Sequence, residues 1–331
     1  MRNVTDLVGN TPVVESSYKD NRFYLKLESG NPGLSIKDRV AFYICQNLDE
    51  SIGLNGKRIV EYSSGNLAIG LAQASKLWRF HLTLIITSKT SLDKIRLLQR
   101  FGTELIMVDE KVHSEDPLGF RGFAAIIASV RKSIFIDQYN NRLNPEAHQK
   151  MTGPEIYRNV PEADYVFTPM GTGGTASGIA RYFKENRLPT QVVGVTPDSG
   201  VFFTHFHRHQ QARRSVDSMI EGVGEDFIPQ NFDEKVIADV VEVSDIAALQ
   251  EVEQLINDLG LFVGGSSGLA IAGTKKFVDT KGLHDKNIVI VCPDSGNRYL
   301  SNFSVSRERP RSAYQDVVEH YRKGKEYPKI L

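Results

Sequence analysis

The sequence predicts an α/β protein built from two doubly wound parallel sheets. Three observations carry this. Short apolar runs with strand spacing alternate with helix-spaced runs along most of the chain, the pattern of parallel sheets covered by helices on both faces. The 331 residues suffice for about two such units. Segments rich in Gly, Ser and Asn mostly fall just after predicted strands, where ligands sit in folds of this kind.

Phe23-Tyr24-Leu25-Lys26-Leu27 reads as a strand, and the Asn31-Pro32-Gly33 turn leads from it to a helix starting near Lys37. Arg58-Ile59-Val60-Glu61 is a short strand and Leu67 to Leu77 has helical spacing. His81 to Ile86 is a strand, Leu92 to Phe101 a helix and Glu104 to Val108 a strand. The alternation resumes with strand Tyr165-Val166-Phe167, helix Thr175 to Glu185 and strand Gln191 to Val195. It closes with helix Ile246 to Leu259 and the apolar strand Asn287 to Cys292. The charged tail from Ser306 to Leu331 is expected to form a surface helix or partner arm.

Composition excludes several functions. Forty basic residues balance forty acidic ones, so no general attraction to nucleic acid or an anionic membrane is expected. The N-terminus lacks an apolar signal core, and no run reaches the ~20 apolar residues of a membrane span, so the cytoplasm is the expected location. Cys45 and Cys292 sit among aliphatic and aromatic neighbours and are expected to be buried thiols. His205-Phe206-His207-Arg208-His209 could present alternate histidines on one strand face. No Cys or acidic cluster nearby completes a metal site, so an exposed loop is expected, with no metal.

Lys37 stands in Asn31-Pro32-Gly33-Leu34-Ser35-Ile36-Lys37-Asp38-Arg39, and Gly171-Thr172-Gly173-Gly174-Thr175 follows much later. A lysine amine can form a Schiff base with an aldehyde cofactor, and backbone N–H groups at a helix start can hold that cofactor's phosphate. Together they point to pyridoxal phosphate. Alone, Lys37 equally fits a solvated surface residue and the glycine run a tight turn. Ser63-Ser64-Gly65-Asn66 offers hydroxyls and free N–H groups for an amino-acid carboxylate, or merely a serine N-cap. Ser295, in Pro293-Asp294-Ser295-Gly296, could meet a pyridine nitrogen, or the segment could be a plain turn.

Ordered segments extend the pattern: Leu7 to Pro12, Lys26-Leu27-Glu28, the Lys37 run, Ser63 to Asn66, Asn144 to His148 and Thr152 to Ile156. Gly171 to Thr175, Glu221 to Pro229, Gly265 to Gly268 and Pro293 to Arg298 complete it. In this order they resemble the fold-type II pyridoxal-phosphate enzymes of the cysteine synthase and cystathionine β-synthase family, up to about Ser301. The resemblance implies an active site in the cleft between a large domain, 1–39 with 141–331, and a small mobile substrate domain, 40–140. Lys37 would be the Schiff-base lysine and the base at the substrate Cα. Asn66 would bind the cofactor's ring oxygen, Gly171, Thr172, Gly173, Gly174 and Thr175 its phosphate, and Ser295 its ring nitrogen. Ser63, Ser64, Gly65 and Gln138 would grip the substrate carboxylate.

The implied chemistry is β-replacement on a serine-derived amino acid through an α-aminoacrylate, with cysteine synthesis from O-acetyl-L-serine and sulfide as the default. The implied partners are a small amino acid, a small nucleophile and a second subunit in a homodimer. Fused regulatory domains and a haem-binding extension are expected to be absent. Two positions depart from cysteine synthases. Leu67 replaces a usual threonine, as in relatives that make diaminopropionate precursors. Asp226 replaces a small residue, as in cystathionine β-synthases and sulfide-releasing relatives. Asp226 is accordingly a candidate catalytic acid or base, or with Glu225 part of a solvated turn. A catalytically silent scaffold relative is the non-enzyme alternative.

Overall fold

A computed structural model describes residues 4–108, 119–210 and 218–300. Met1–Arg298 forms one compact unit and Tyr299–Leu331 a second, and the elements described here lie in the first. The predicted tail element lies outside the described residues.

The chain opens with β1 (Val13–Tyr18), β2 (Asn21–Leu27) and α1 (Lys37–Ile52). Then come β3 (Arg58–Tyr62), α2 (Asn66–Leu77), β4 (His81–Thr87), α3 (Leu92–Arg100), β5 (Glu104–Val108), α4 (Phe120–Val130) and β6 (Ile134–Phe135). Short helices α5 (Leu143–Ala147) and α6 (Gly153–Asn159) precede β7 (Tyr165–Pro169), α7 (Gly174–Glu185), β8 (Gln191–Pro197) and α8 (Phe202–Arg208). The series ends with β9 (Asp239–Val243), α9 (Asp245–Leu259), α10 (Gly265–Lys281) and β10 (Asn287–Cys292).

One sheet has the strand order β1-β2-β10-β7-β8-β9 and the other β5-β4-β3-β6. All pairings are parallel except β1 with β2. The fold is therefore the expected α/β arrangement of two parallel sheets, with an antiparallel edge strand that periodicity did not reveal. In β1 no residue is fully buried, and its hairpin turns at Lys19-Asp20, where Lys19 adopts φ 52° in place of the usual Asn or Gly.

Central strands are apolar because both faces are covered. Val60, Tyr62 and Ile85 pack with Ala124 and Ala128 of α4 on one face of the second sheet. Ile59, Leu82 and Leu84 pack with α1 and α2 on the other. Val166, Val192 and Val289 of the first sheet pack with Ile179 and Phe183 of α7. Helix ends follow local chemistry. Ser244 Oγ accepts from Ala247 N–H at the start of α9, and Gly260, at φ 65°, stops it.

The His205–His209 run is helical through Arg208, which corrects the expected loop. On a helix, residues two apart diverge by about 200°, so His205 reaches Glu234 and His207 the Val240 carbonyl instead of sharing a ligand. Among the described residues no group of three His, Cys, Asp or Glu could hold a metal ion, and no helix is long and apolar enough to cross a membrane. Both cysteines are free and buried, as expected.

Candidate active site

Lys37 is the first residue of α1, and tertiary bonds hold it at the carboxyl end of β10. Ile36 N–H donates to the Pro293 carbonyl at 2.8 Å, and Ser35 bridges to Asp294. Arg39 anchors the same helix turn. Its guanidinium donates to both oxygens of Glu28 (2.7 and 2.9 Å) and both of Glu155 (2.8 and 2.7 Å), and Lys26 adds a 2.9 Å contact to Glu155. All four side chains are buried, two basic and two acidic, so each has a partner of opposite sign in contact. Burial opposes ionisation of Glu155, yet hydrogen bonds from Arg39 and the charges of Arg39 and Lys26 hold its carboxyl at about 2.

Lys37 itself is partly reached by solvent. Desolvation lowers its amine to about 8, against the opposing charges of Glu225 and Asp294. An amine so placed has a neutral, nucleophilic fraction near neutral pH.

Gly171 to Thr175 joins β7 to α7, beside β10 in the sheet. Gly173 caps the helix at φ 73°, where a Cβ would approach Phe232 Cβ to 2.8 Å. A Cβ on Gly174 would collide with Asn144 Oδ1, and one on Gly171 with the Gly222 carbonyl. The three glycine positions thus have no room for a side chain, and the loop leads into the first-turn N–H groups of α7, which have no intrahelical partners. Asn144 Nδ2 donates to Thr172 Oγ1 at 3.0 Å, and Thr175 Oγ1 lies 3.1 Å from His148 Nε2. Burial, then the charges of Lys37 and Arg39, keep His148 neutral well below its ordinary value. A glycine-rich loop with two threonine hydroxyls at the start of α7, and a partly neutral lysine at the end of the neighbouring strand, fit an aldehyde cofactor with a phosphate tail.

Ser63 to Gly65 links β3 to α2, whose first residue is Asn66. Gly65 faces open space, so this loop forms part of a lip. Gln138 Nε2 donates to the Tyr62 carbonyl at 3.1 Å, and the Gln138 carbonyl accepts from Asn144 and Asn231. Gln138 therefore braces the serine loop directly and, through Asn144, the glycine loop. Asn66 Nδ2 donates to Asp294 Oδ2 at 2.6 Å, and its Oδ1 accepts from Arg298 at 2.7 Å. Ser295 pairs with Val263 across the neighbouring loop.

Leu67 is buried in the core with α1, so it belongs to packing and does not face the serine loop's lip. The Glu225-Asp226 segment is not a freely solvated turn. Tyr139 Oη donates to Glu225 Oε1 at 2.7 Å, and burial raises the Glu225 carboxyl to about 7, with the Asp226 charge adding to this. Glu225, Asp294, His148 and Tyr139 were given no separate role by sequence reasoning. The only available hint was the pair of adjacent acids in the glycine-rich Glu221–Pro229 stretch.

From residue 4 to residue 294 the sequence matches the family described as "Pyridoxal-phosphate dependent enzyme". The chain belongs to this family. This pyridoxal-phosphate dependent enzyme is 33% identical over 318 residues to cystathionine beta-synthase of Saccharomyces cerevisiae, covering 91% of the chain and 62% of that protein. It is 32% identical over 305 residues to cysteine synthase of Buchnera aphidicola subsp. Schizaphis graminum, covering 91% of the chain and 94% of the relative. Its fold superposes on O-ureido-L-serine synthase with TM-score 0.85 at 25% identity, covering 96% and 99% of the two chains. A hydrogen sulfide-producing enzyme of Fusobacterium nucleatum superposes with TM-score 0.80 at 28% identity, covering 91% and 100%.

Proposed function

We propose that this enzyme catalyses β-replacement on a serine-derived amino acid, with the cysteine synthase reaction, O-acetyl-L-serine and sulfide giving L-cysteine, as the default pairing. The observation that carries the reading is Lys37, held at the end of β10 beside the glycine-rich loop that opens α7. Pyridoxal phosphate bound there supplies an electron sink for the pair left when a Cα proton is removed. Lys37 Nζ would hold the cofactor's aldehyde end, and its amine would take and return the Cα proton. Gly171, Thr172, Gly173, Gly174 and Thr175 would hold the phosphate, Asn66 the ring oxygen and Ser295 the ring nitrogen. Ser63, Ser64 and Gly65 bind the substrate carboxylate, with Gln138 bracing their loop.

The sheet of β3 to β6 belongs in this reading to a small substrate-closing domain, 40–140, against a large domain formed by the rest. A cytoplasmic homodimer is part of the same reading, because two-fold dimers are the commonest soluble assemblies.

The test is a panel pairing O-acetylserine, O-phosphoserine, serine and cysteine with sulfide, homocysteine and amines, followed by product analysis. Turnover of O-acetylserine with sulfide as the best pair supports the default. Absence of turnover with every pair, in protein that retains cofactor, overturns it in favour of a scaffold role. The acidic pair Glu225 and Asp226 favours a second reading, in which Asp226 assists a poor leaving group. Asp226→Asn should then slow reaction of serine or cysteine by about 10²-fold more than that of O-acetylserine, whose acetate leaves unaided.

A further inference from the structure

The proposed reaction leaves one buried carboxyl near Lys37 without a task. Glu225 is partly reached by solvent, like Lys37, and the two side chains act on each other electrostatically. Its Oε1 lies 3.8 Å from where a Cβ on Gly171 would stand, at the entry to the phosphate loop.

The carboxyl is held from the other sheet. Tyr139 donates to Oε1 and stacks on Tyr62 with ring centres 5.6 Å apart and planes at 14°. Tyr139 also packs on Phe227 at 5.1 Å, and Phe227 lies under the Arg121 guanidinium at 5.6 Å. Tyr62 in turn donates to Asp137 at 3.1 Å. This stack fixes the phenol against the carboxyl and leaves Oε2 as the oxygen that Tyr139 does not engage.

We propose that Glu225 accepts the proton of a nucleophile that arrives protonated, an amine or a thiol including hydrogen sulfide, with Tyr139 as its positioning residue. This rests on the β-replacement reading above. The nucleophile's lone pair forms the bond to the substrate β-carbon, and its proton passes to Glu225 Oε2. The electron pair displaced onto Cα takes up the proton carried by Lys37 Nζ. Glu225 then releases its proton to solvent.

The charged and titratable groups that set Glu225 are Lys37 on α1, Asp226 beside it and Tyr139, while Asp294 also bears on Lys37. Desolvation and Asp226 raise its carboxyl, whereas the Tyr139 hydrogen bond and Lys37 lower it, and the balance lies at about 7. A base with that value is suited to neutral pH.

The experiment compares wild-type holoenzyme with Glu225→Gln and Tyr139→Phe in three measurements. These are the absorbance change on adding donor amino acid alone, the rate when an amine or sulfide is then mixed in, and the absorbance of resting holoenzyme against pH. Glu225→Gln should keep cofactor and the donor response but slow the nucleophile step by about 10²-fold or more. Its rate should lose the rise with pH through about 7, and its resting spectrum the step at the same pH. Tyr139→Phe should keep both features displaced to higher pH, a shift that a purely structural tyrosine would not produce. An unchanged nucleophile rate and pH limb in Glu225→Gln overturns the proposal. If no donor changes the wild-type spectrum, the β-replacement reading falls instead, and the resting titration alone decides whether Glu225 titrates against Lys37.

Discussion

Asn66 and Asp294 are joined by a 2.6 Å hydrogen bond between the first residue of the helix after β3 and the loop after β10. The two strands belong to different sheets, so this contact brings the carboxyl end of one to the carboxyl end of the other. Arg298 completes the junction by donating to the second polar atom of the Asn66 amide. The ends of the two sheets near Lys37 are therefore joined by side-chain hydrogen bonds that no single stretch of sequence contains.

Replacement of Lys37 by alanine should abolish turnover and covalent capture of cofactor while leaving the fold intact. The side chain is partly reached by solvent instead of packing in the core, and its burial is an electrostatic cost. Borohydride reduction of wild-type enzyme followed by peptide mapping should place the label on Lys37. A label on another lysine would remove the assignment.

Gly174→Val should weaken cofactor retention. The new Cβ would strike Asn144 Oδ1, whose amide also holds Thr172 and the Gln138 carbonyl, so both loops would shift. Cofactor occupancy after dialysis measures the effect, and occupancy equal to wild type would show that the loop does not carry the phosphate.

Arg39→Ala should destabilise the protein by about 3–5 kcal/mol, because two buried carboxylates would lose the guanidinium that bridges them and keep Lys26 as the cation beside them. Glu155 gives the pH signature of the intact cluster. Its folded value is depressed, so its stabilisation is present above the ordinary 4.5 and is lost as pH falls toward about 2. Chemical unfolding at fixed cofactor concentration should show that acid sensitivity in wild type and a smaller one in the variant.

Asp38 shows the opposite sign. Burial raises its carboxyl to about 7, against the Gly33 N–H and the charges of Arg298 and Arg39. The folded state thus keeps a proton that the unfolded chain releases, and stability falls as pH rises from about 4 to about 7. Asparagine can still accept from Gly33 and carries no charge. Asp38→Asn should therefore match wild type near pH 4 and exceed it at pH 8, by at most about 4 kcal/mol. Equal stability at both values would show that Asp38 is ionised in the fold.

Sequence alone determined the alternation of strands and helices, because period-2 and period-3.6 apolar spacing reflects burial on a sheet or helix face whatever the partner. Lys37, the glycine loop and the Ser63 segment were legible for a similar reason, since each is a local backbone feature at an element's end. Strand β1 was not, because an exposed edge strand closed by Lys19-Asp20 has neither apolar alternation nor a glycine turn. The histidine run was misplaced because a helix of seven residues is too short to show a periodicity of its own. That Leu67, where cysteine synthases carry a threonine, packs into the core was decided by the orientation of its helix. Glu225 and Tyr139 were decided by tertiary structure alone. A carboxyl's ionisation depends on the groups around it, and here these come from 86 residues away in sequence and from the first turn of α1.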